Sequence, residues 1–146
     1  MSARIQAELL ALRDSNGIID ARRAVDWAKQ HQDSALYQAL EWDDATAAIE
    51  YRISQVRRLI AVHIVDAEGH RQVVSLSVDR QQGGGYRSVQ DVLSVDDLRA
   101  VMLSDALEEL QRVQRKYEYL QELAKVWEAA QQVEQETRPR RRRRAA

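Results

Sequence analysis

The 146-residue chain is long enough for one domain with a buried core and short for two. Apolar residues make up 45% of it and charged residues 31%, which is typical of a folded, soluble and largely helical protein. The absence of Cys excludes a disulfide framework, a thiolate metal site and a Cys nucleophile, and it favours a reducing compartment. We therefore predict a cytoplasmic protein, with neither a signal peptide nor a membrane span.

The net charge of −1 averages two unlike parts. Residues 1–136 contain 16 Lys and Arg against 23 Asp and Glu, about −7, whereas residues 137–146 contain six Arg and no acid. Charges act over roughly 8–10 Å in physiological salt, so the acidic body and the basic end act separately. We expect residues 137–146 to be a disordered polyarginine tail, because six guanidinium groups cannot be buried against an apolar core.

Helical patterns follow one another in the first 58 residues. Apolar residues at helical spacing predict a helix over residues 3–13, which ends at the turn-forming sequence DSNG. Asp20 and Ser34 are predicted N-caps of the next two helices, and Asp43 or Asp44 is the predicted N-cap of a long fourth one.

At Leu59 the apolar period changes from 3.6 to 2. The runs LIAVHIV and RQVVSLSV, separated by DAEGH, predict an antiparallel hairpin with Gly69 in its turn. In the second strand we expect Val74, Leu76 and Val78 on the buried face and the intervening serines on the solvent-exposed face.

Residues 95–136 contain no Gly or Pro and predict one long, coiled-coil-like helix. Eight of its residues recur at alternating spacings of 3 and 4, the pattern of a packing seam: Leu103, Ala106, Leu110, Val113, Tyr117, Leu120, Ala124 and Trp127. The six members other than the alanines are the predicted homo-oligomerisation residues. The pattern leaves open whether the helix pairs between chains or folds back on its own body.

These elements predict a mainly α (α+β) fold in four parts. They are a helical unit with a β-hairpin over residues 1–80, a Gly-rich connector over 81–94, the long helix over 95–136 and the tail over 137–146. Helices followed by a hairpin match a winged helix-turn-helix, with residues 44–58 as recognition helix and 60–78 as wing. Asp43 and Asp44 argue against that interpretation because they would repel phosphates, and packing alone also produces this element order.

No pattern indicates catalysis or metal binding. The glycines at 83–85 lack the Lys-Ser/Thr of a phosphate-binding loop, the three histidines lie on separate predicted elements, and no Ser has a Gly-x-Ser-x-Gly context. We predict that the protein is not an enzyme and has no catalytic residue, metal or cofactor.

DNA or another nucleic acid is the predicted partner, because each phosphate that a cation neutralises strengthens salt-dependent binding. An alternative role for the tail is contact with the protein's own acidic body or with an anionic protein. The predicted nucleic-acid-binding residues are Arg138, Arg140, Arg141, Arg142, Arg143 and Arg144 of the tail, together with Arg52, Arg57 and Arg58 of the fourth helix.

The stretch from about residue 36 to 125 resembles a family of small proteins of tailed bacteriophages and prophages. Its motifs are W-D-D, paired alanines, Y-R-x-x-Q-x-R and later Y-R and K-Y, matched by Trp42, Asp43, Asp44, Ala47, Ala48, Tyr51, Arg52, Gln55, Arg57, Tyr86, Arg87, Lys116 and Tyr117. The resemblance implies a phage protein inside a bacterial cell, and it does not extend to the tail.

We predict a DNA-binding role in phage DNA handling or regulation. The alternatives are a phage adaptor or inhibitor that binds a host protein through its acidic body and, less favoured, a structural or packaging component of the virion.

Overall fold

The computed structural model describes residues 2–138, and the chain divides into two compact units, Met1–Ile60 and Ala61–Ala146. The described residues are mainly helical with one small antiparallel sheet, so the predicted mainly α (α+β) class is confirmed. The first unit contains α1 (Ser2–Ala11), α2 (Ala21–Gln30), α3 (Ala35–Gln38) and most of α4 (Asp44–His63), which crosses the boundary.

The helices of the first unit begin where their caps predict. The side chains of Asp20, Ser34 and Asp43 each accept a hydrogen bond from the backbone N–H three residues further on. These bonds satisfy an N–H group that has no partner within the helix. The three predicted N-caps are therefore confirmed, with Asp43 as the cap of α4.

The core of the first unit is small. Ala24 and Ala28 of α2 and Leu36 of α3 are buried, and half-buried apolar residues of α1 pack against them. Alanines let the helices approach closely, so few large side chains are enclosed.

Glu8 of α1 holds α3 in place. Its two carboxylate oxygens accept hydrogen bonds from the backbone N–H groups of Ala35, at 3.1 Å, and Leu36, at 2.8 Å. A carboxylate at a helix N-terminus is stabilised by the helix dipole. This contact spans 27 residues of sequence, so no local motif indicates it.

Up to residue 138, the second unit contains six elements and a single turn of 3₁₀ helix at Gln121–Leu123. In chain order the six are β1 (Val73–Val74), α5 (Ser77–Arg80), β2 (Arg87–Ser88), α6 (Val89–Ser94), α7 (Asp96–Tyr117) and α8 (Ala124–Thr137). Leu76 and Val92 are its fully buried side chains among the described residues. Asp105 of α7 accepts a hydrogen bond from the Ser77 backbone N–H at 2.8 Å, which ties α7 to the start of α5.

The predicted hairpin is correct in its turn and wrong in its strands. Residues 59–63 complete α4, because extending a helix adds one hydrogen bond per residue without a new nucleation cost. The turn forms around Gly69, with an antiparallel bridge between Val65 and Arg71. The two-residue strand β1 pairs antiparallel with β2, placing Val73 opposite Ser88.

The predicted in-and-out alternation is also wrong. Leu76 is buried, but Val74, Val78 and the serines at 75 and 77 are all half-buried. The reason is that α5 begins at Ser77, so the backbone is no longer extended there.

The predicted single helix over residues 95–136 is interrupted. The helix α7 ends at Tyr117, Leu120 has an extended backbone, and α8 returns along α7. A hydrogen bond of 3.2 Å from Gln111 Nε2 to Glu134 Oε2 joins the two helices. In the described chain the C-terminal segment therefore folds back on itself, which lets α7 and α8 share part of their apolar surface.

Candidate nucleic-acid and oligomerisation surfaces

The helix α4 carries the three predicted DNA-contacting arginines outside the tail. None of its 20 residues, all of which the structure describes, is buried. Arg52, Arg57 and Arg58 are exposed, and none of them forms an ion pair with a carboxylate of the described residues. Their charges are therefore available to an external anion.

The three arginines point in different directions. Successive residues of an α-helix are rotated by about 100°, so Arg57 lies about 140° around α4 from Arg52, and Arg58 a further 100° on. Arg52 and Arg58 line a shallow groove of about 430 Å³ together with Gln55, Val56 and Leu59. The structure thus brings two of the three arginines to one groove and turns Arg57 away from it.

The wing of the predicted winged helix-turn-helix does not form as expected. The predicted first wing strand is the last turn of α4, and the predicted second strand pairs with β2 through only two residues. The interpretation of residues 60–78 as a wing is therefore wrong. A contact by α4 with nucleic acid would have to occur without it.

Large apolar side chains of α4 are also exposed. Ile49, Tyr51, Val56, Leu59 and Val62 each have more than half of their surface accessible. Helical periodicity predicted the faces on which they lie, but it did not predict that these faces would stay uncovered. The sequence does contain one indication of this exposure. Apolar residues are spread around so much of the circumference of α4 that one small core cannot cover them all.

The predicted oligomerisation residues divide between two environments. Leu110, Leu120 and Trp127 line a cleft of about 490 Å³ between α7 and α8, so a single chain brings them together. Val113 and Tyr117 lie outside that cleft and are exposed to 44% and 40%. Leu103 lines a separate groove near the end of α8.

Trp127 is the most enclosed member of this seam. Its side chain is half-buried, and its Nε1 atom is buried without a hydrogen-bond partner among the described residues. The cleft is otherwise lined by leucines, alanines and long polar side chains. Apolar packing on α7 therefore holds the indole ring in place.

The structure describes two residues of the predicted tail: Thr137, which is the last residue of α8 and so not disordered as expected, and Arg138. The Nη2 atom of Arg138 lies 3.0 Å from Glu134 Oε1, an ion pair within one helical turn at the end of α8. This contact agrees with the alternative in which part of the tail meets the acidic body. Arg140, Arg141, Arg142, Arg143 and Arg144, and the expectation that they are disordered, lie outside the described residues.

The Gly-rich loop is closed by an ion pair at its base. Arg87 donates to Asp79 through Nε at 2.7 Å and through Nη2 at 2.8 Å. The hydrogen bond from Arg87 lowers the pKa of the Asp79 carboxyl, and Asp79 in turn raises the pKa of Arg87. The Gly-rich loop is shorter than the predicted connector over 81–94, because residues 87–94 form β2 and α6.

The glycines at 83–85 have a backbone function. All three have positive φ angles, and a Cβ atom at any of them would meet no neighbour within 4 Å. They are needed for the left-handed conformation that the loop adopts.

The turn after α4 brings together Asp66, Glu68 and His70. One potential ligand atom from each lies within 4.8 Å of the other two, so the three side chains form a weak candidate for cation binding. The spacing of the histidines alone does not indicate this group, and the sequence signal for it is the D-x-E-x-H pattern of residues 66–70. The Asp66 carboxylate already accepts hydrogen bonds from the N–H groups of Glu68 and His70, and the bond from His70 is the main cause that lowers the pKa of Asp66.

Within residues 2–138, no helix has the length and apolar character needed to cross a membrane. No protein-family model, curated protein or solved structure matches the chain.

Proposed function

We propose that this chain is a non-enzymatic nucleic-acid-binding protein of the phage type, which acts in phage DNA handling or regulation inside a bacterium. The observation that carries the proposal is the set of exposed arginines on α4, which have no ion-pair partner among the described carboxylates. Guanidinium groups free of internal ion pairs bind phosphate oxygens well.

The distribution of charge supports a contact at α4 and the tail. Residues 1–60 contain 8 Lys and Arg against 9 Asp and Glu, a net −1, whereas residues 61–138 contain 9 against 14, a net −5. Phosphates are repelled by the more acidic segment of residues 61–138. We therefore assign the α7–α8 pair to assembly and not to DNA contact.

Self-association is the second half of the proposal. Val113 and Tyr117 present apolar surface outside the cleft between α7 and α8, where a second copy would cover it. Bringing several tails together raises their effective concentration at the nucleic acid, so weak single contacts add up.

The test is binding of the full chain to a short duplex of random sequence over a series of salt concentrations. Removing residues 138–146 deletes six arginines. The log–log salt slope should fall by about 0.9 for each phosphate that the shortened protein no longer neutralises, and R57A with R58A should lower it by a further one to two. The matched control is R22A with R23A, an exposed arginine pair on α2, which should leave the slope unchanged. Equal affinity in all four proteins would contradict the proposal.

A second candidate function is a phage adaptor or inhibitor that binds a host protein. The exposed apolar side chains of α4 favour it, because they offer contact surface to a protein and no hydrogen bonds to a base edge. Tagged protein recovered from infected cells separates the two functions. Nucleic acid that disappears on nuclease treatment supports the first, and a host protein that survives the treatment supports the second.

A further inference from the structure

The helix α4 has an apolar stripe that the described chain leaves largely exposed. Ile49, Ile53, Val56 and Ile60 follow one another at spacings of 4, 3 and 4, so they lie on one side of the helix. Ile49, Ile53 and Val56 are exposed, and Ile60 is half-buried. Every residue from 51 to 59 is exposed. Most helical stability in proteins comes from packing of an apolar face, so covering the stripe stabilises α4.

We propose that α4 pairs antiparallel with α4 of a second copy of this chain. The stripe has the 3–4 spacing with which helices pack against each other. In the antiparallel pair, Ile49 packs beside Ile60 of the second copy and Ile53 beside its Val56. This interface is distinct from the surface of α7 and α8 assigned to assembly above, and it goes beyond nucleic-acid binding.

The charged residues that flank the stripe favour a second copy of α4 as its partner, and they favour the antiparallel orientation of that copy. Glu50 and Arg57 lie along one edge of the stripe, and Arg52 and Leu59 lie along the other. Antiparallel pairing sets Glu50 beside Arg57 of the second copy, and two-fold symmetry makes this contact twice. The helix is therefore complementary to itself in charge as well as in apolar pattern.

Parallel pairing is disfavoured by the same residues. In a parallel pair, the two edges meet so that Arg52 lies beside Arg57 of the second copy. Like charges at the edge of a helix pair destabilise it and act against the wrong orientation.

The length of the stripe sets the strength of the contact. Ile49 to Ile60 spans roughly 17 Å of helix. One such helix pair buries less than the roughly 1,200 Å² of a stable standard interface. We therefore expect a weak dimer that forms reversibly with increasing protein concentration.

Disulfide cross-linking tests the direction, because the chain has no cysteine of its own. Mixing I49C protein with I60C protein should produce a disulfide-linked heterodimer, and I49C alone should produce little dimer, since its two copies lie at opposite ends of the pair. The matched control is Y51C mixed with R58C. These two positions lie opposite each other along the antiparallel pair, as residues 49 and 60 do, but on the outer face of the helix, so they should not cross-link. A dominant I49C homodimer, or equal cross-linking of the control, would overturn the proposal.

Sedimentation tests the interface independently of any cysteine. V56D should shift the weak monomer–dimer equilibrium at least tenfold towards monomer, whereas S54D on the outer face should not. E50R should weaken the dimer. The double variant E50R with R57E should restore most of the dimer affinity, because it exchanges the two charges. A purely structural role for these residues would not give this rescue. Wild-type protein that stays monomeric at every attainable concentration would defeat the proposal and leave the stripe to a different protein.

Failure here and failure of nucleic-acid binding are distinguishable. Each α4 variant is also measured for salt-dependent DNA binding through the intact tail. The V113D background removes association through the outer surface of the α7–α8 pair, where Val113 is exposed, and the I49C–I60C cross-link should persist in it.

Discussion

The ion pair between Asp79 and Arg87 stabilises the conformation of the Gly-rich loop. Its two hydrogen bonds join the residues on either side of the three left-handed glycines, and the Gly84 N–H donates to the Asp79 carbonyl oxygen at 2.9 Å. Without these bonds, glycines that accept many backbone conformations would not stay in one.

From this ion pair we predict that the loop opens in acid. The hydrogen bond from Arg87 lowers the pKa of Asp79 below its usual 3.8. Because the folded pKa is depressed, the stabilising contribution is complete above pH 3.8 and disappears as the pH falls through the lowered value. Amide NMR resonances of the glycines at 83–85 should therefore stay constant from neutral pH to about pH 4 and move below it.

The variant D79N separates this effect from general acid unfolding. Its glycine resonances should already be displaced at neutral pH and should lack the acid step, whereas E108Q, at an exposed carboxylate of α7, should behave as the wild type. An unchanged acid step in D79N would show that another group opens the loop.

At the scale of elements, the return of α8 along α7 depends on apolar contacts in a shared cleft. Trp127 contributes the largest side chain to that cleft, and its Nε1 atom has no partner among the described residues. The ring is therefore held by packing, and the unpaired N–H reduces its net contribution.

Truncation of this side chain should loosen the helix pair. We expect W127A to lower the free energy of unfolding by about 2–3 kcal/mol, because removing a half-buried aromatic ring takes away its packing and leaves a cavity. W127F should cost less than half as much, since it keeps an aromatic ring and removes the unpaired N–H. Urea denaturation followed by circular dichroism measures both.

Tyr119 offers the matched control for this series. It lies in the turn between the helices and is 93% exposed, so Y119A should leave stability unchanged. Equal stability of W127A and Y119A would contradict the assignment of Trp127 as the main contact.

At the scale of the whole molecule, the two units meet in sequence inside α4, whose residues 51–59 are exposed on every side. Such a segment opens locally at a low free-energy cost because few tertiary contacts protect it. Arg52, Arg57 and Arg58 lie within it, so brief trypsin treatment should cut there before it cuts elsewhere between residues 2 and 137.

Mass spectrometry of the first fragments checks this expectation. Cleavage within α4 should slow as protein concentration rises, because pairing of α4 protects it. The triple variant R52Q, R57Q and R58Q should resist the early cut. First cleavage after Arg13 or Arg80 would show that α4 is better protected than its exposure suggests.

Local patterns predicted the starts of the helices well. Asp20, Ser34 and Asp43 act through hydrogen bonds that close within three residues, so the information lies in the adjacent sequence. The turn at Gly69 is predictable for the same reason. Contacts such as Glu8 with α3 connect distant segments and were not predictable from spacing.

Periodicity did not decide how apolar segments are used. The run LIAVH suits a strand or the end of a helix, and continuation of α4 prevailed. The 3–4 seam of residues 103–127 suits pairing between chains or within one, and the described chain uses part of it for the α7–α8 contact.

The amino-acid sequence by itself determined the helical character of the chain, its cap residues, its lack of thiol chemistry and the separation of acidic from basic charge. These follow from composition and from interactions over a few residues. Only the tertiary structure decided where α4 ends, which strand β1 pairs with, that α8 returns along α7 and that the stripe on α4 remains largely exposed. The physical reason is that burial and strand pairing depend on which distant segments compete for the same apolar surface.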